Sequence, residues 1–303
     1  MLIYAPPQGC IGVSVWLRGL NNMTTALVTA STSSLPMELI QRYGIELIPF
    51  TIQFVDGNLR ESEDVSLDEF YRRLVHEDVI PTTAPSSAGQ FINYFRQHPA
   101  DDIIVIHVGA MLSQSYANAM QAASRVQGRM IYNIDSRQFA LGTGLLVLEA
   151  AEALAHGASA ASIVSQIEHQ IPNILTVASL ETVRYLRLSG RLGRIGAMAA
   201  SLLGIYPILG LDRKGQAEMV GRARSREDSL TMMIQQALAF VGKGKVRRMG
   251  ILHTNALAEA QAFAQQVSAH FPDVPLLISD AGPVLAVHGG PGALGISVLR
   301  EEA

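Results

Sequence analysis

The chain predicts an α/β protein. A parallel-sheet α/β/α N-terminal domain precedes an α+β C-terminal domain whose sheet is mostly antiparallel. Three observations carry this. Up to about residue 172, apolar strand-like runs alternate with helical stretches, the order that gives parallel pairing through crossovers. After residue 173 strand pairs joined by turns appear, with interspersed helices. The 303 residues, 49% hydrophobic and 16% charged, suffice for a large core and for two domains.

In order, 26–29 is a short β-rich run that empties into Ala30-Ser31-Thr32-Ser33-Ser34. Pro36 then opens a helix to about Tyr43, in the favoured first-turn position. The run 45–55 is strand-like with Pro49 inside, hence an edge or bulged strand. Ser66-Leu67-Asp68-Glu69 is a capping box. Residues 81–87, Pro-Thr-Thr-Ala-Pro-Ser-Ser, read as a rigid hydroxyl-rich loop before a helix at 90–97. The strand 103–108 leads through a turn to a helix ending near Val126. The strand 130–134 leads to helices at 145–156 and 159–170. Ligands of such sheets sit beyond the carboxyl ends of the strands. Three of those ends carry Ser31/Thr32, Ser113/Ser115 and Asp135/Ser136. Each cluster alone is explained as a helix cap; together with the 82–87 loop they favour an anion site, aided by helix N-termini.

In the second half, 174–178 is a strand and 181–188 a short helix. Arg184, Arg187, Arg191 and Arg194 follow at spacings of three and four, interrupted by Gly190. The stretch 195–205 is apolar and rich in small residues, a buried helix or the wall of an apolar cavity. Residues 207–211 and 218–224 form a hairpin with Lys214-Gly215 at its turn, and alternation puts Arg222 and Arg224 on one face. Helices at 229–240 and 257–271 and strands at 249–253 and 276–278 follow. The last feature is an apolar run reaching His288, then Gly289-Gly290-Pro291-Gly292 and a final apolar segment. Glycine admits close backbone approach and positive φ, and proline stiffens the turn. The spacing therefore places one imidazole at a stiff corner between two strands; a glycine-rich hairpin with an incidental His fits it equally well.

The domains are expected at 23–172 and 173–303, with the ligand between them and residues 1–22 as a disordered extension or misassigned start outside the fold. The net charge of −3 does not point to nucleic acid. Between Arg184 and Arg248, however, 13 Lys/Arg stand against 4 Asp/Glu, which describes either a solvated face or one that steers an anionic ligand or partner. The lone Cys10 excludes an intramolecular disulfide and a multi-Cys zinc site. No run of 18 apolar residues occurs, so no transmembrane segment is expected, and the expected location is cytoplasmic.

Catalytic signatures are missing. There is no Gly-x-Ser-x-Gly elbow, Walker loop or His-Glu-x-x-His; Gly142-Thr143-Gly144 lacks a third glycine, and the eight histidines lack metal spacing. His107, inside a strand, reads as a satisfied core His. Hydroxyls, arginines, one corner His and apolar wall remain. Such groups bind a carboxylate or phosphate and do little covalent work; a hydrogen bond to a charged group contributes about 1.5–3 kcal/mol.

From about Thr24 to Leu299 the chain resembles the DegV family of bacterial fatty-acid-binding proteins. The matching stretches run from Val28 to Pro36, Pro81-Thr82-Thr83, from His107 to Tyr116, Ile134-Asp135-Ser136-Arg137, Leu186-Arg187-Leu188-Ser189-Gly190-Arg191, Pro207-Ile208-Leu209 and from His288 to Gly295. The resemblance implies a two-domain α/β protein that buries a long acyl chain between its domains, needs no cofactor and is not itself an enzyme. It implies that Thr83, Ser113 and His288 hold the fatty-acid carboxylate. It also implies a partner kinase that phosphorylates the bound carboxylate, with Arg191, Arg222 and Arg224 at a basic mouth. Departures are Ala30 where the family has Asp, Gln114-Ser115 for Gly-Thr, Ala84-Pro85-Ser86-Ser87 for Ser-Gln-Pro-Ser, and Tyr206 for a common lysine. Burying a tail of about 16 carbons at about 0.8 kcal/mol per CH₂ gives on the order of 10 kcal/mol before entropic costs. Two readings remain beside this one. One is an enzyme on a small phosphorylated or carboxylated metabolite with His288 as general base; the other is a regulatory protein without ligand.

Overall fold

The structure is a computed structural model that describes residues 24–60, 66–76, 80–191 and 204–301. The expected extension at 1–22, Arg194 and most of the small-residue stretch 195–205 lie outside the described residues. Strand β1 (Thr25–Ala30) is buried throughout and is followed by helix α1 (Met37–Tyr43). Then come β2 (Glu46–Ile48), β3 (Thr51–Phe54), β4 (Gly57–Arg60), α2 (Leu67–His76), β5 (Thr82–Ala84) and α3 (Ala88–Gln97). The run containing Pro49 is therefore two strands in two sheets. β2 pairs with β1, whereas β3 pairs antiparallel with β4 and β5. Residues 82–84, expected as loop, form the edge strand β5, with Thr83 opposite Ile52. The prolines at 81 and 85 lie just outside it, where no ladder hydrogen bond is lost.

Strand β6 (Asp102–His107), α4 (Ser115–Ala123), β7 (Met130–Asp135), α5 (Leu141–Ala155) and α6 (Ala160–Gln170) complete the first half. The sheet β2-β1-β6-β7 is wholly parallel. Its strands sort side chains by alternation. Ile103 and Val105 join Phe91 and Phe95 of α3 on one face, while Ile104 and Ile106 meet Leu145 and Leu146 of α5 on the other.

The second half contains β8 (Ile174–Ser179), α7 (Arg184–Leu188), β9 (Tyr206–Leu211), β10 (Ala217–Ala223), α8 (Arg226–Val241), β11 (Val246–His253), α9 (Leu257–His270), β12 (Leu276–Asp280), α10 (Pro283–Gly289) and β13 (Leu294–Arg300). Its sheet runs β10-β9-β8-β13-β11-β12; only β11 and β12 are parallel. Helices α8 and α9 cover one face through Met233, Ala237, Phe263 and Val267. All described strands of the parallel sheet precede residue 172 and all those of the six-stranded sheet follow it.

Helix α5 joins the two sheets. Twelve of its fifteen residues are buried, and it contacts β1 and β6 on one side and β8, β11 and β13 on the other. A helix apolar on every side must be enclosed on every side. Its glycines permit the approach: a Cβ on Gly142 would stand 2.1 Å from Thr176 Oγ1, and one on Gly144 2.4 Å from Ser33 O. The one charge buried on this helix is anchored across the gap. Glu149, 1% exposed, accepts from Arg247 at 2.6 Å and Arg248 at 2.5 Å, both on β11, and from Gln170 at 3.0 Å. Arg248 also pairs with Glu152. These pairings use up part of the basic excess between Arg184 and Arg248, so that stretch is not one free basic face.

Without the Glu149 charge, Arg248, 13% exposed, keeps Glu152, while Arg247 is half exposed and can be solvated. Glu149→Gln is expected to destabilise the protein by about 1–3 kcal/mol, the cost of lost hydrogen bonds to charged groups, read from the urea midpoint at constant m. A change below about 0.5 kcal/mol, the scale of an exposed pair, would contradict the role given to Glu149.

Candidate functional site

The sequence around His288 forms a helix where a strand was expected. Pro283 occupies the first helical turn, Gly282 precedes it with φ 84°, and the amide of Gly290 closes the helix on Ala286 O at 2.8 Å. Five apolar residues between two glycines satisfy either period; the decisive signal was Pro283, which cannot serve a central strand but suits a helix start. Val284 and Val287 face a small core with Phe50, Ile52, Phe70 and Tyr185. That leaves His288 beside the three-stranded sheet, where its Nε2 lies 3.0 Å from Thr83 Oγ1.

The turn after His288 is fixed from three directions. Gly290 has φ 76°, and a Cβ there would meet the Tyr185 ring at 2.3 Å. Thr254 Oγ1 donates to Gly290 O at 2.6 Å and accepts from the Ala293 amide at 2.9 Å. Arg226 donates to Gly292 O at 2.6 Å while two of its nitrogens reach the Glu259 carboxylate at 2.7 and 3.1 Å. Arg226 was not singled out from the sequence. It stands at a strand-to-helix junction just after Ser225, the N-cap of α8, ahead of the helix start expected at 229. Before α10, Asp280 accepts from Tyr71 Oη and from the Gly282 amide, each at 2.8 Å. Burial would raise its pKa, but hydrogen bonds from His253, Gly282, Tyr71 and Asn255 hold it below the usual carboxylate range.

These elements border a cavity that opens to the surface, about 1030 Å³ of empty space with its open mouth included. Among the described residues its walls are apolar except at Thr32, Thr83, Ser113, Arg191, Thr254 and His288. The cavity lies where the carboxyl ends of β1 and β6 meet α10 and the strands β8, β9 and β11. Thr83, Ser113, His288 and Arg191 thus border one space. Arg222 and Arg224 do not. Both are exposed on either side of buried Ala223, on one face as alternation expects, but that face borders no part of the cavity. Of the other strand-end groups, Ser115 hydrogen-bonds His107 Nδ1 at 3.1 Å, and Asp135 accepts from the amides of Ala110 and Arg137. They serve their own turns.

The site carries little buried charge. His288 is pushed down to about 3, by burial first and then by the positive charge of Arg191, so it is neutral near pH 7. Its Nδ1 has no hydrogen-bond partner among the described residues. With the proton on Nε2, the ring donates to Thr83 Oγ1 and leaves the threonine hydrogen free for a ligand. Ser113 Oγ accepts from the Ser115 amide at 3.2 Å and keeps its own hydrogen. The arrangement offers two hydroxyl donors on the wall of an apolar slot and, among the described lining residues, one cation, the exposed Arg191. His107 is the satisfied core histidine expected: buried, held at 3.0 Å by Asn133 as well as by Ser115, and pushed down to about 4 by burial. Among the described residues no cluster of His, Cys, Asp and Glu could hold a metal, and no helix is long and apolar enough to cross a membrane.

The family model of DegV, described as uncharacterised, matches residues 24–301. The chain belongs to the DegV family. It is 30% identical over 273 residues to a DegV domain-containing protein of Caldanaerobacter subterraneus subsp. tengcongensis, covering 89% of this chain and 97% of that one. Protein DegV of Bacillus subtilis is 28% identical over 90% of this chain and 98% of its own length. A structure presented as fatty acid binding of a DegV family protein from Thermus thermophilus superposes with a TM-score of 0.85 at 28% identity, covering 91% of this chain and 99% of that one. The structure of DegV from Bacillus subtilis, described as a fatty acid binding protein, superposes at 0.84 with 28% identity over 92% and 100%. Two departures of this DegV chain have a visible outcome. Ala30 is buried in the apolar cluster with Phe50 and Val108, and Tyr206 lies against the Arg226 guanidinium at 5.9 Å.

The histidine pKa values make acid stability a test. An unfolded His takes a proton below about 6.5, while folded His288 refuses it down to about 3, so the unfolded state gains as pH falls through that window. Burial of His107 acts the same way down to about 4. The gap in stability between wild type and His288→Gln is therefore expected to narrow as pH drops from 7 to 4, measured by denaturant unfolding. Parallel stability curves would contradict a neutral His288.

Proposed function

We propose that this DegV-family chain binds a long-chain fatty acid, with the acyl tail in the apolar slot and the carboxylate at Thr83, Ser113 and His288. The observation that carries this is the combination of an apolar-walled cavity with a Thr83–His288 pair and Ser113 on its wall. The tail would supply affinity through burial of methylenes, and the hydroxyls would fix its direction. The relatives from Thermus thermophilus and Bacillus subtilis, described as fatty acid binding, support the same ligand class. Thr83 and Ser113 would each donate to a carboxylate oxygen, and His288 would act through Thr83 by holding its hydroxyl in the donating orientation. Arg191 at the rim would favour the anion without being buried with it.

The bound carboxylate would face outward to a separate kinase that forms the acyl phosphate, the chain itself serving as carrier. The alternative, His288 as a general base on a small metabolite, is disfavoured. A base needs a pKa near the working pH, whereas His288 is held near 3 and its Nδ1 lacks an orienting partner among the described residues.

Native mass spectrometry of the purified chain is expected to show a co-purifying fatty acid. Thr83→Val and Ser113→Ala should each weaken rebinding of stearate by about ten- to a hundredfold, the loss of one hydrogen bond to a charged group. Lipid-free protein that does not take up stearate, or unchanged affinity in both variants, would overturn the reading.

A further inference from the structure

His288 has no second hydrogen bond to set its ring. Its Nε2 meets Thr83 Oγ1 at 3.0 Å, and its Nδ1 has no hydrogen-bond partner among the described residues. Which nitrogen of a histidine carries the proton is ordinarily set by the hydrogen bond that the other one makes. Here the ring has to be set by packing and by the backbone that carries it.

Thr254, the first residue after β11, grips that backbone with four hydrogen bonds. Its amide donates to Ala293 O at 3.0 Å, and its carbonyl accepts from the Gly292 amide at 2.8 Å. Its Oγ1 donates to Gly290 O at 2.6 Å and accepts from the Ala293 amide at 2.9 Å. The backbone pair is open to any residue but proline. The other two need a hydroxyl, which donates and accepts at one atom. Gly290 is the residue that ends α10: its amide closes on Ala286 O at 2.8 Å while its carbonyl is the one that Thr254 holds. His288 lies two residues before it, in the last turn of the helix. Arg226 also reaches this turn, but at Gly292 O, four residues from His288. Thr254 is 2% exposed and borders the cavity. Its hydroxyl hydrogen is committed to Gly290 O, so it is not a third donor to the head group.

We propose that Thr254 is a positioning residue. It sets the end of α10, through it the His288 ring, and through the ring the donating orientation of Thr83, so that the slot prefers a free carboxylate to an uncharged head group on the same tail. A donor aimed by a packed, hydrogen-bonded support holds an anion better than one left free to turn. This rests on the fatty-acid reading above and adds the origin of its head-group selectivity.

The test uses the lipid-stripped full chain, with dissociation constants for stearate and methyl stearate from displacement of a fluorescent fatty acid. Thr254→Val keeps the side-chain shape and removes both Oγ1 bonds. It is expected to weaken stearate by about tenfold, the low end for a hydrogen bond to a charged group because Thr83 is misaimed rather than removed, and to leave methyl stearate within about threefold. Thr254→Ser, which returns the hydroxyl, should bind stearate within about threefold of wild type. On a His288→Gln background Thr254→Val should add less than about threefold, since residues acting in series are not additive. Equal losses for both ligands, a full further loss on top of His288→Gln, or unchanged stearate affinity would overturn the positioning role and leave fatty-acid binding standing. Thr254→Ala replaces the valine variant if that does not fold, with the same outcomes. Wild type that takes up no stearate would overturn the fatty-acid reading and this role with it.

Discussion

The enclosure of α5 is the constraint on which the rest of this structure depends. A helix buried along nearly its whole length cannot be solvated on any face, so both sheets must close on it. Glycines at 142 and 144 let the backbones approach, and Glu149 ties the helix to β11. Once the sheets are held at this spacing, the carboxyl ends of β1 and β6 lie opposite β8, β9 and β11, and a gap lined by their apolar side chains is left beyond the start of α5. The slot is a consequence of how the two sheets share one helix.

The mouth of that slot is built with neutral donors. Burying a cation there would cost several kcal/mol in desolvation before any ligand arrived. Two hydroxyls and an imidazole kept neutral by burial avoid that cost, and Arg191 stays exposed at the rim. The geometry of the histidine then matters more than its charge. This explains why the turn after it is held by Thr254, Arg226 and Tyr185 together. Ala30 fits the same pattern: where the family has a carboxylate, this chain has apolar packing beside Phe50.

Much of this was legible in the residues. The β-rich runs of β1 and β6, each followed by hydroxyls, marked a buried parallel sheet and its ligand-bearing edge. Positions 83, 113 and 288 became candidates together through family resemblance, since nothing local joins His288 to residues 175 and 205 positions before it. What escaped was local or long-range in identifiable ways. The helix Pro283–Gly289 was hidden because a short apolar run fits both periods. Strand β5 was hidden because its partner β3 lies thirty residues earlier. Alternation put Arg222 and Arg224 on one exposed face, but it says nothing of whether that face borders the cavity, which it does not. Arg226 and Thr254 act on the backbone of a distant turn, a role that no spacing announces.

A crystal structure of the chain with stearate tests the central claim most directly. The account predicts the tail inside the slot, with carboxylate oxygens within hydrogen-bonding distance of Thr83 Oγ1 and Ser113 Oγ and the Thr83–His288 contact retained. A head group at the opposite end of the slot, or a lipid bound outside it with Thr83 and Ser113 untouched, would contradict the account.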